Sequence, residues 1–369
     1  MVRPDRVLVA MSGGVDSSVA ALLLKREGRD VVGVFMRNGV ALPAGAGSDR
    51  PCCGVADAYD ARRVADRLGI PFYVLDFEEG FRRLIDGFCE AYDRGETPNP
   101  CILCNRDLKF GRLLDYAGSV EAGEVSTGHY ARVERREGRV LLRRGADASK
   151  DQSYVLFALP QEALARSRFP LGGMAKPEVR ALAREAGLPV TDKPESMEIC
   201  FVPGDDYRAL LRERIPGRIR EGDLLHADGR VLGRHPGHQF FTIGQRHGLG
   251  VALGTPAYVV RIDPATNTVV LGDVEGLLSG TCTVRDVLWG ADPPEAGTSL
   301  RAAVQIRSQH RAAPAAVTVR AGGRAEIRFD SPQRAVTPGQ AAVFYEGEIV
   351  LGGGWIEADR GRNGPRAGA

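Results

Sequence analysis

Arg6-Val-Leu-Val-Ala10 runs straight into Met11-Ser12-Gly13-Gly14-Val15-Asp16-Ser17, and the reading of these residues decides the fold. The first five form an apolar run of the kind that a strand buried on both faces needs. The residues after the loop carry an apolar stripe through Val19, Leu22 and Leu23 that stops at Gly28, the pattern of a helix. A loop between a buried strand and a helix start gathers backbone N–H groups and the positive end of a helix dipole, so its natural occupant is an anion such as phosphate. The glycines allow close approach, Ser12 and Ser17 add hydroxyls, and Asp16 calls for a divalent cation travelling with the phosphates. There is no Gly-Lys-Ser/Thr, which excludes a Walker loop.

Outward from this loop the alternation continues. A strand is predicted over Asp30 to Met36, a helix over Ala56 to Leu68, a strand over Pro71 to Asp76, helices over Phe81 to Arg94 and Asp107 to Ala117, and a strand over Glu124 to Thr127. Strand-helix alternation implies an α/β domain with a doubly wound parallel sheet, placed at residues 1–206. Short strands split by Gly, Pro and Asp follow, at Gln239 to Ile243, Ala257 to Ile262 and Thr268 to Leu271, and define a small β-rich connector domain at 207–279. A C-terminal β-barrel is expected at 280–359, with turns at Ala321-Gly-Gly, Thr337-Pro-Gly and Glu346-Gly, and a disordered tail at 360–369.

The 369 residues suffice for two or three cores, and 43% hydrophobic with 26% charged residues excludes wholesale disorder. No window approaches the roughly eighteen apolar residues of a membrane span, so a cytoplasmic protein is expected, with no membrane partner. Net charge of +2 means that any RNA partner is held by local basic patches, for which Arg132 to Arg144 and Arg208 to Arg220 are candidates.

Seven cysteines, with Cys52, Cys53, Cys89, Cys101, Cys104 and Cys200 clustered and Cys282 apart, are unlike a secreted disulfide scaffold. In a reducing compartment they suggest chemistry or metal. Cys104, in Thr97-Pro-Asn-Pro-Cys-Ile-Leu-Cys-Asn105, is expected at or near a helix N-terminus, where the dipole lowers a thiol's pKa. Cys200, in Ser196-Met-Glu-Ile-Cys-Phe201, is a second thiol that only the fold can bring to the first.

The hexapeptide Ser12 to Ser17 is similar to that of the PP-loop ATP pyrophosphatases, which cleave ATP between the α and β phosphates and make an adenylated intermediate. With the cysteines the resemblance narrows to the bacterial tRNA-specific 2-thiouridylases, which modify the wobble uridine of certain transfer RNAs. It is carried by Val9 to Ser18, Val34-Phe-Met36, Asp60-Ala-Arg-Arg-Val-Ala-Asp-Arg-Leu-Gly-Ile-Pro71, the run ending at Asn105, Thr127-Gly-His-Tyr130 and Lys150-Asp-Gln-Ser-Tyr154. Glu198-Ile-Cys-Phe201, Phe241-Thr-Ile-Gly-Gln-Arg246, Pro332 to Gln340 and Leu351-Gly-Gly-Gly-Trp-Ile356 extend it over nearly the whole chain.

The resemblance implies that Ala10, Met11, Ser12, Gly13, Gly14, Val15, Asp16, Ser17, Met36 and Gly128 contact ATP, with Mg2+ accompanying it. It implies that Cys200 carries a persulfide and that Cys104 is its nucleophilic partner. Asn99, Pro100 and Cys101 are implied at the target base, and His129, Lys150, Asp151, Gln152, Arg307, Ser308 and Gln340 at the RNA. The implied partners are transfer RNA and a cysteine desulfurase or sulfur-relay protein, the enzyme itself being a monomer without RNA.

One position departs from the family: Cys101 stands where its best-known members have an aspartate. That leaves a general acid–base role unassigned and three readings open. Cys101, Cys104 and Cys200 could hold three irons of a [4Fe-4S] cluster, act by persulfide and disulfide without iron, or bind structural zinc. Either catalytic route starts with attack of an unstacked uridine's C2 oxygen on the α-phosphate of ATP. The competing functions are a PP-loop amide-forming ligase of the argininosuccinate or GMP synthetase kind, which has no use for paired cysteines, and a non-catalytic RNA-binding protein, which has no use for an intact phosphate loop.

Overall fold

The computed structural model describes residues 3–40, 54–194, 199–202, 204, 206–251 and 254–358. Cys52, Cys53, Ser196 to Glu198 and the tail at 360–369 lie outside the described residues. The chain forms two units, one of Met1–Ile85, Pro100–Asp206 and Glu348–Val350, the other of Asp86–Asn99, Tyr207–Gly347 and Leu351–Ala369.

In the first unit β1 (Arg3–Ala10), α1 (Val15–Arg26), β2 (Asp30–Arg37), α2 (Val55–Leu68) and β3 (Phe72–Asp76) are followed by α3 (Glu78–Asp93), inside which the division between units falls. After α4 (Pro100–Leu103) come a π-helical stretch (Cys104–Arg112), α5 (Leu113–Ser119), β4 (Ala122–Ser126), the hairpin β5 (Ala131–Arg136) and β6 (Arg139–Arg144), α6 (Gln161–Ala165), β7 (Ser167–Arg168) and α7 (Lys176–Glu185). The parallel sheet has the order β3-β2-β1-β4-β7. Val7, Leu8 and Val9 are fully buried, because a central parallel strand is covered by helices on both faces. Val9, Val19 and Leu22 share one core with Val64 of α2 and Val179 of α7. The strand order reverses at β1, so the crevice beyond the carboxyl ends of β1 and β4 is the topological switch point where such sheets bind ligands.

The second unit holds α8 (Tyr207–Arg214) and two β systems. Strands β8 (Gly222–His226), β9 (Val231–His235), β10 (Tyr258–Asp263) and β11 (Thr268–Gly272) form a sheet in the order β10-β11-β8-β9. Strands β12 (Leu278–Trp289), β13 (Ser299–Gln305), β14 (Ala313–Arg320), β15 (Arg324–Arg334), β16 (Ala341–Glu346) and β17 (Ile349–Ile356) run in the order β12-β15-β14-β13-β16-β17. Pairing of β17 back to β12 closes them into a six-stranded barrel around Val304, Val317, Ile327 and Phe344. The fold class is thus the expected one: a parallel α/β sheet, a β-rich middle portion and a terminal barrel.

Two local expectations are corrected. Gln239 to Ile243 is not a strand: His238–Phe240 is a 3-10 turn. There the Gln239 amide donates to Asp93 Oδ1 at 3.0 Å and to the Arg218 carbonyl at 3.1 Å, and Phe240 and Phe241 are both buried, which no alternating strand allows. The helix expected from Asp107 begins instead at Pro100. A proline is well suited to the first helical position, whose N–H needs no partner.

Candidate functional site: phosphate loop and cysteine helix

The loop between β1 and α1 is built by its own hydroxyls. The Ser12 N–H donates to Ser17 Oγ at 3.1 Å, and the Ser18 hydroxyl donates to the Gly14 carbonyl at 2.7 Å. Gly13 has φ +73° and lies so close to α2 that a Cβ there would be 2.3 Å from the Asp57 carbonyl oxygen. Gly14 caps α1, leaving the first-turn N–H groups without helical partners. Gly128, just beyond β4, touches the same turn: a Cβ on it would be 2.6 Å from the Ser17 nitrogen. Ala10 and Met36 end β1 and β2, half-buried at the same end of the sheet. Met11 and Val15 are buried in the core, so their side chains anchor the loop.

Asp16 was expected to need a cation, and the structure supplies one of its own. Lys176 Nζ donates to both carboxylate oxygens, at 2.7 and 2.8 Å, and the Tyr130 hydroxyl donates to Oδ1 at 2.9 Å. The Asp16 carboxylate is thus held by Lys176 and Tyr130 within the protein. Across the loop, Lys193 Nζ donates to the Gly13 carbonyl at 2.9 Å, Asp57 Oδ1 at 2.5 Å and Asp60 Oδ2 at 2.8 Å. Burial works to lower the Lys193 pKa, but the hydrogen bonds from Asp57 and Asp60 outweigh it and the net shift is upward. Sequence reasoning missed Lys176, Lys193 and Tyr130. The one signal available was that each lysine precedes a proline, at Lys176-Pro177 and Lys193-Pro194.

The cysteines sit on a different kind of helix from the one expected. From Pro100 the chain makes one α turn, passes through the π-helical stretch and continues as α5. Such a stretch shifts the register of side chains around the axis and is often found at functional sites. Gly111 accommodates it, since a Cβ there would be 2.9 Å from the Arg106 carbonyl oxygen. The Asn105 amide donates to the Val155 carbonyl at 3.0 Å and pins the stretch to the 3-10 turn Ser153–Val155. Cys104 is the first π residue, one turn after the helix begins at Pro100, and is 7% exposed. Its expected low pKa is corrected: burial pushes the thiol up to about 12, with Lys109 opposing.

Cys101 is exposed and Cys200 half-buried. Cys200 lies within electrostatic reach of both Cys101 and Cys104, so the fold brings together thiols almost a hundred residues apart. Among the described residues no three His, Cys, Asp or Glu side chains gather as a metal site, and no step is routed through iron or zinc.

Several residues implied at RNA turn out to hold the protein together. His129 is 7% exposed, its Nδ1 is 2.7 Å from the Thr127 hydroxyl, and burial, reinforced by Lys109, holds it neutral well below the ordinary histidine range. Its ring packs against Phe110 and Phe169. Asp151 accepts from Arg144 Nη1 at 2.7 Å and from the Gly145 and Ser153 N–H groups, each at 3.0 Å, and Gln152 Oε1 accepts from the Tyr130 N–H at 2.9 Å. Both fold the loop that presents half-buried Lys150. Pro100 is buried, whereas Asn99 is half-buried. Arg132 and Arg143 pair with Glu348. In the second unit Arg307 donates to the Arg334 carbonyl at 3.0 Å, the exposed Ser308 lends its carbonyl to Gln305, and Gln340 donates to the Thr97 carbonyl at 2.8 Å.

Among the described residues no helix is long and apolar enough to cross a membrane. Residues 5–204 match the family described as tRNA methyl transferase HUP domain, 208–273 its PRC-barrel domain, and 279–356 the aminomethyltransferase beta-barrel domain. A tRNA-specific 2-thiouridylase MnmA of Geobacter metallireducens is 52% identical over 360 residues, covering 96% of this chain and 97% of its own. The protein of that name from Solibacter usitatus is 50% identical over 370 residues, covering 95% and 99%. Among solved structures, a 4-thiouridine synthetase in complex with RNA and bound ATP is 18% identical, covers 58% of this chain and 51% of that one, and has a TM-score of 0.35. With half of its residues shared along nearly its full length, the chain belongs to the tRNA-specific 2-thiouridylase family.

Proposed function

We propose that this protein is an ATP-dependent sulfurtransferase that converts the wobble uridine of transfer RNA to 2-thiouridine. The observation that carries the reading is the approach of Cys200 to Cys101 and Cys104 in the unit that holds the phosphate loop. An amide-forming ligase needs the loop and has no work for the thiols.

The uridine C2 oxygen attacks the α-phosphorus of magnesium-bound ATP, and pyrophosphate leaves into the N–H groups of the loop and α1. The terminal sulfur of a Cys200 persulfide then attacks C2 and AMP departs, a far better leaving group than oxide. Attack of the Cys104 sulfur on Cys200 Sγ breaks the S–S bond, leaving 2-thiouridine and a Cys104–Cys200 disulfide. The same cysteine can instead free hydrosulfide from the persulfide before C2 is attacked, ending in the same disulfide. A dithiol reductant resets it, and a cysteine desulfurase or relay protein reloads Cys200. Because burial holds the Cys104 thiol protonated, its attack requires that the proton be passed on.

The test is nucleoside mass spectrometry of unmodified transfer RNA incubated with ATP, magnesium, cysteine and a desulfurase, alongside AMP release and iron analysis of protein purified without oxygen. Wild-type protein is expected to form 2-thiouridine without bound iron, and Cys104→Ser and Cys200→Ser to form none. Activity that tracks iron, or that survives Cys200→Ser, would overturn the persulfide route.

A further inference from the structure

Lys193 spends all three of its ammonium protons within the protein, on the Gly13 carbonyl, Asp57 and Asp60. It therefore has no proton left for a phosphate while these bonds hold, which separates it from the lysines that bind nucleotide directly. What it grips is informative. Gly13 is the loop residue at φ +73°, wedged against the backbone of Asp57. With its carbonyl drawn to Lys193, the peptide is held from both sides, and the N–H groups of the following turn stay open for an anion.

Lys193 also balances charge. Asp57 and Asp60 are both largely buried beside the loop, and without the ammonium their two negative charges would oppose polyphosphate at a short range where screening is weak.

We propose that Lys193 is a positioning residue that sets the geometry and charge of the nucleotide loop. The proposal stands independently of the sulfurtransferase reading. The experiment compares Lys193→Met, Asp57→Asn/Asp60→Asn and the triple variant with wild type. It reads the Kd of ATP by calorimetry without RNA, 2-thiouridine formation with RNA, and the melting temperature.

Lys193→Met is expected to weaken ATP about tenfold or more, as truncating one partner of a buried charge pair does. The triple variant is expected to regain part of that loss, because the opposing carboxylates are gone, and the Asp→Asn pair alone to bind ATP more tightly than wild type. Unchanged ATP affinity in a folded Lys193→Met, or no recovery in the triple variant, overturns the proposal, since mere support of the fold would not respond to removing charge. If Lys193→Met does not fold, the Asp→Asn pair decides by the sign of its effect. Wild type that binds ATP but thiolates no RNA would sink the functional reading and leave the ATP affinities to judge Lys193.

Discussion

Burial at Cys104 sets a condition on its chemistry that a surface thiol would not meet. With its pKa pushed up to about 12, less than one thiol in a thousand is ionised at neutral pH, by the usual tenfold change per unit. The rate of alkylation by iodoacetamide, read on the Cys104 peptide by mass spectrometry, is therefore expected to rise about tenfold per pH unit from 7 to 10 without a plateau. A plateau below pH 9 would mean that the thiol is already activated in the free protein. Neighbouring Cys101 gives an internal comparison because it is exposed, and reagent access limits it less. The same reasoning removes His129 as a proton carrier near neutrality: burial, then Lys109, holds its ring neutral.

At the scale of elements, the π-helical stretch Cys104–Arg112 connects a catalytic candidate to the rest of the sheet domain. Each residue in such a stretch turns less around the axis than an α residue, so deleting one, such as Arg106, should restore an α-helix and rotate Cys104 relative to α5. The deletion variant is expected to keep its far-ultraviolet circular dichroism and to lose 2-thiouridine formation by about a hundredfold, in line with displacement of a reacting group by an ångström or more. A fully active deletion variant would show that the register does not matter. This stretch is also where sequence reading fell short. The β1 strand was legible because Val7, Leu8 and Val9 leave no polar alternation to confuse, and the loop because its glycines are required by close contacts at Gly13 and Gly128. A one-residue change in helical register leaves the same apolar residues in the same order, and Pro98 and Pro100 read as breakers when the second is in fact a starter. Lys176 and Lys193 were illegible for another reason: a lone lysine reads as solvated surface until the fold shows which carboxylates it meets.

Among the described residues burial pushes up the thiols of Cys104 in the first unit, to about 12, and of Cys89 and Cys282 in the second, to about 11 and about 12, and it raises that of Cys101 in the first unit as well. In the unfolded chain each titrates near 9. Between pH 9 and 11 the folded protein therefore holds protons that the unfolded chain has released. The stability this represents is fully present below pH 9 and is lost as pH rises, by about 1.4 kcal/mol per pH unit for each thiol. Cys89 and Cys282 lie in the second unit. Both tryptophans, Trp289 and Trp355, belong to that unit, so their fluorescence follows it alone, while helical circular dichroism is weighted to the first unit. Urea denaturation at pH 8 to 10.5 is expected to show a fluorescence transition that is level to about pH 9 and then falls steeply. Tyrosines and lysines ionise in the same range, so the decisive comparison is with Cys282→Ala, whose slope should be shallower than wild type by about 1.4 kcal/mol per pH unit. An unchanged slope in that variant would mean that the Cys282 thiol titrates alike in both states and that barrel packing does not hold its proton.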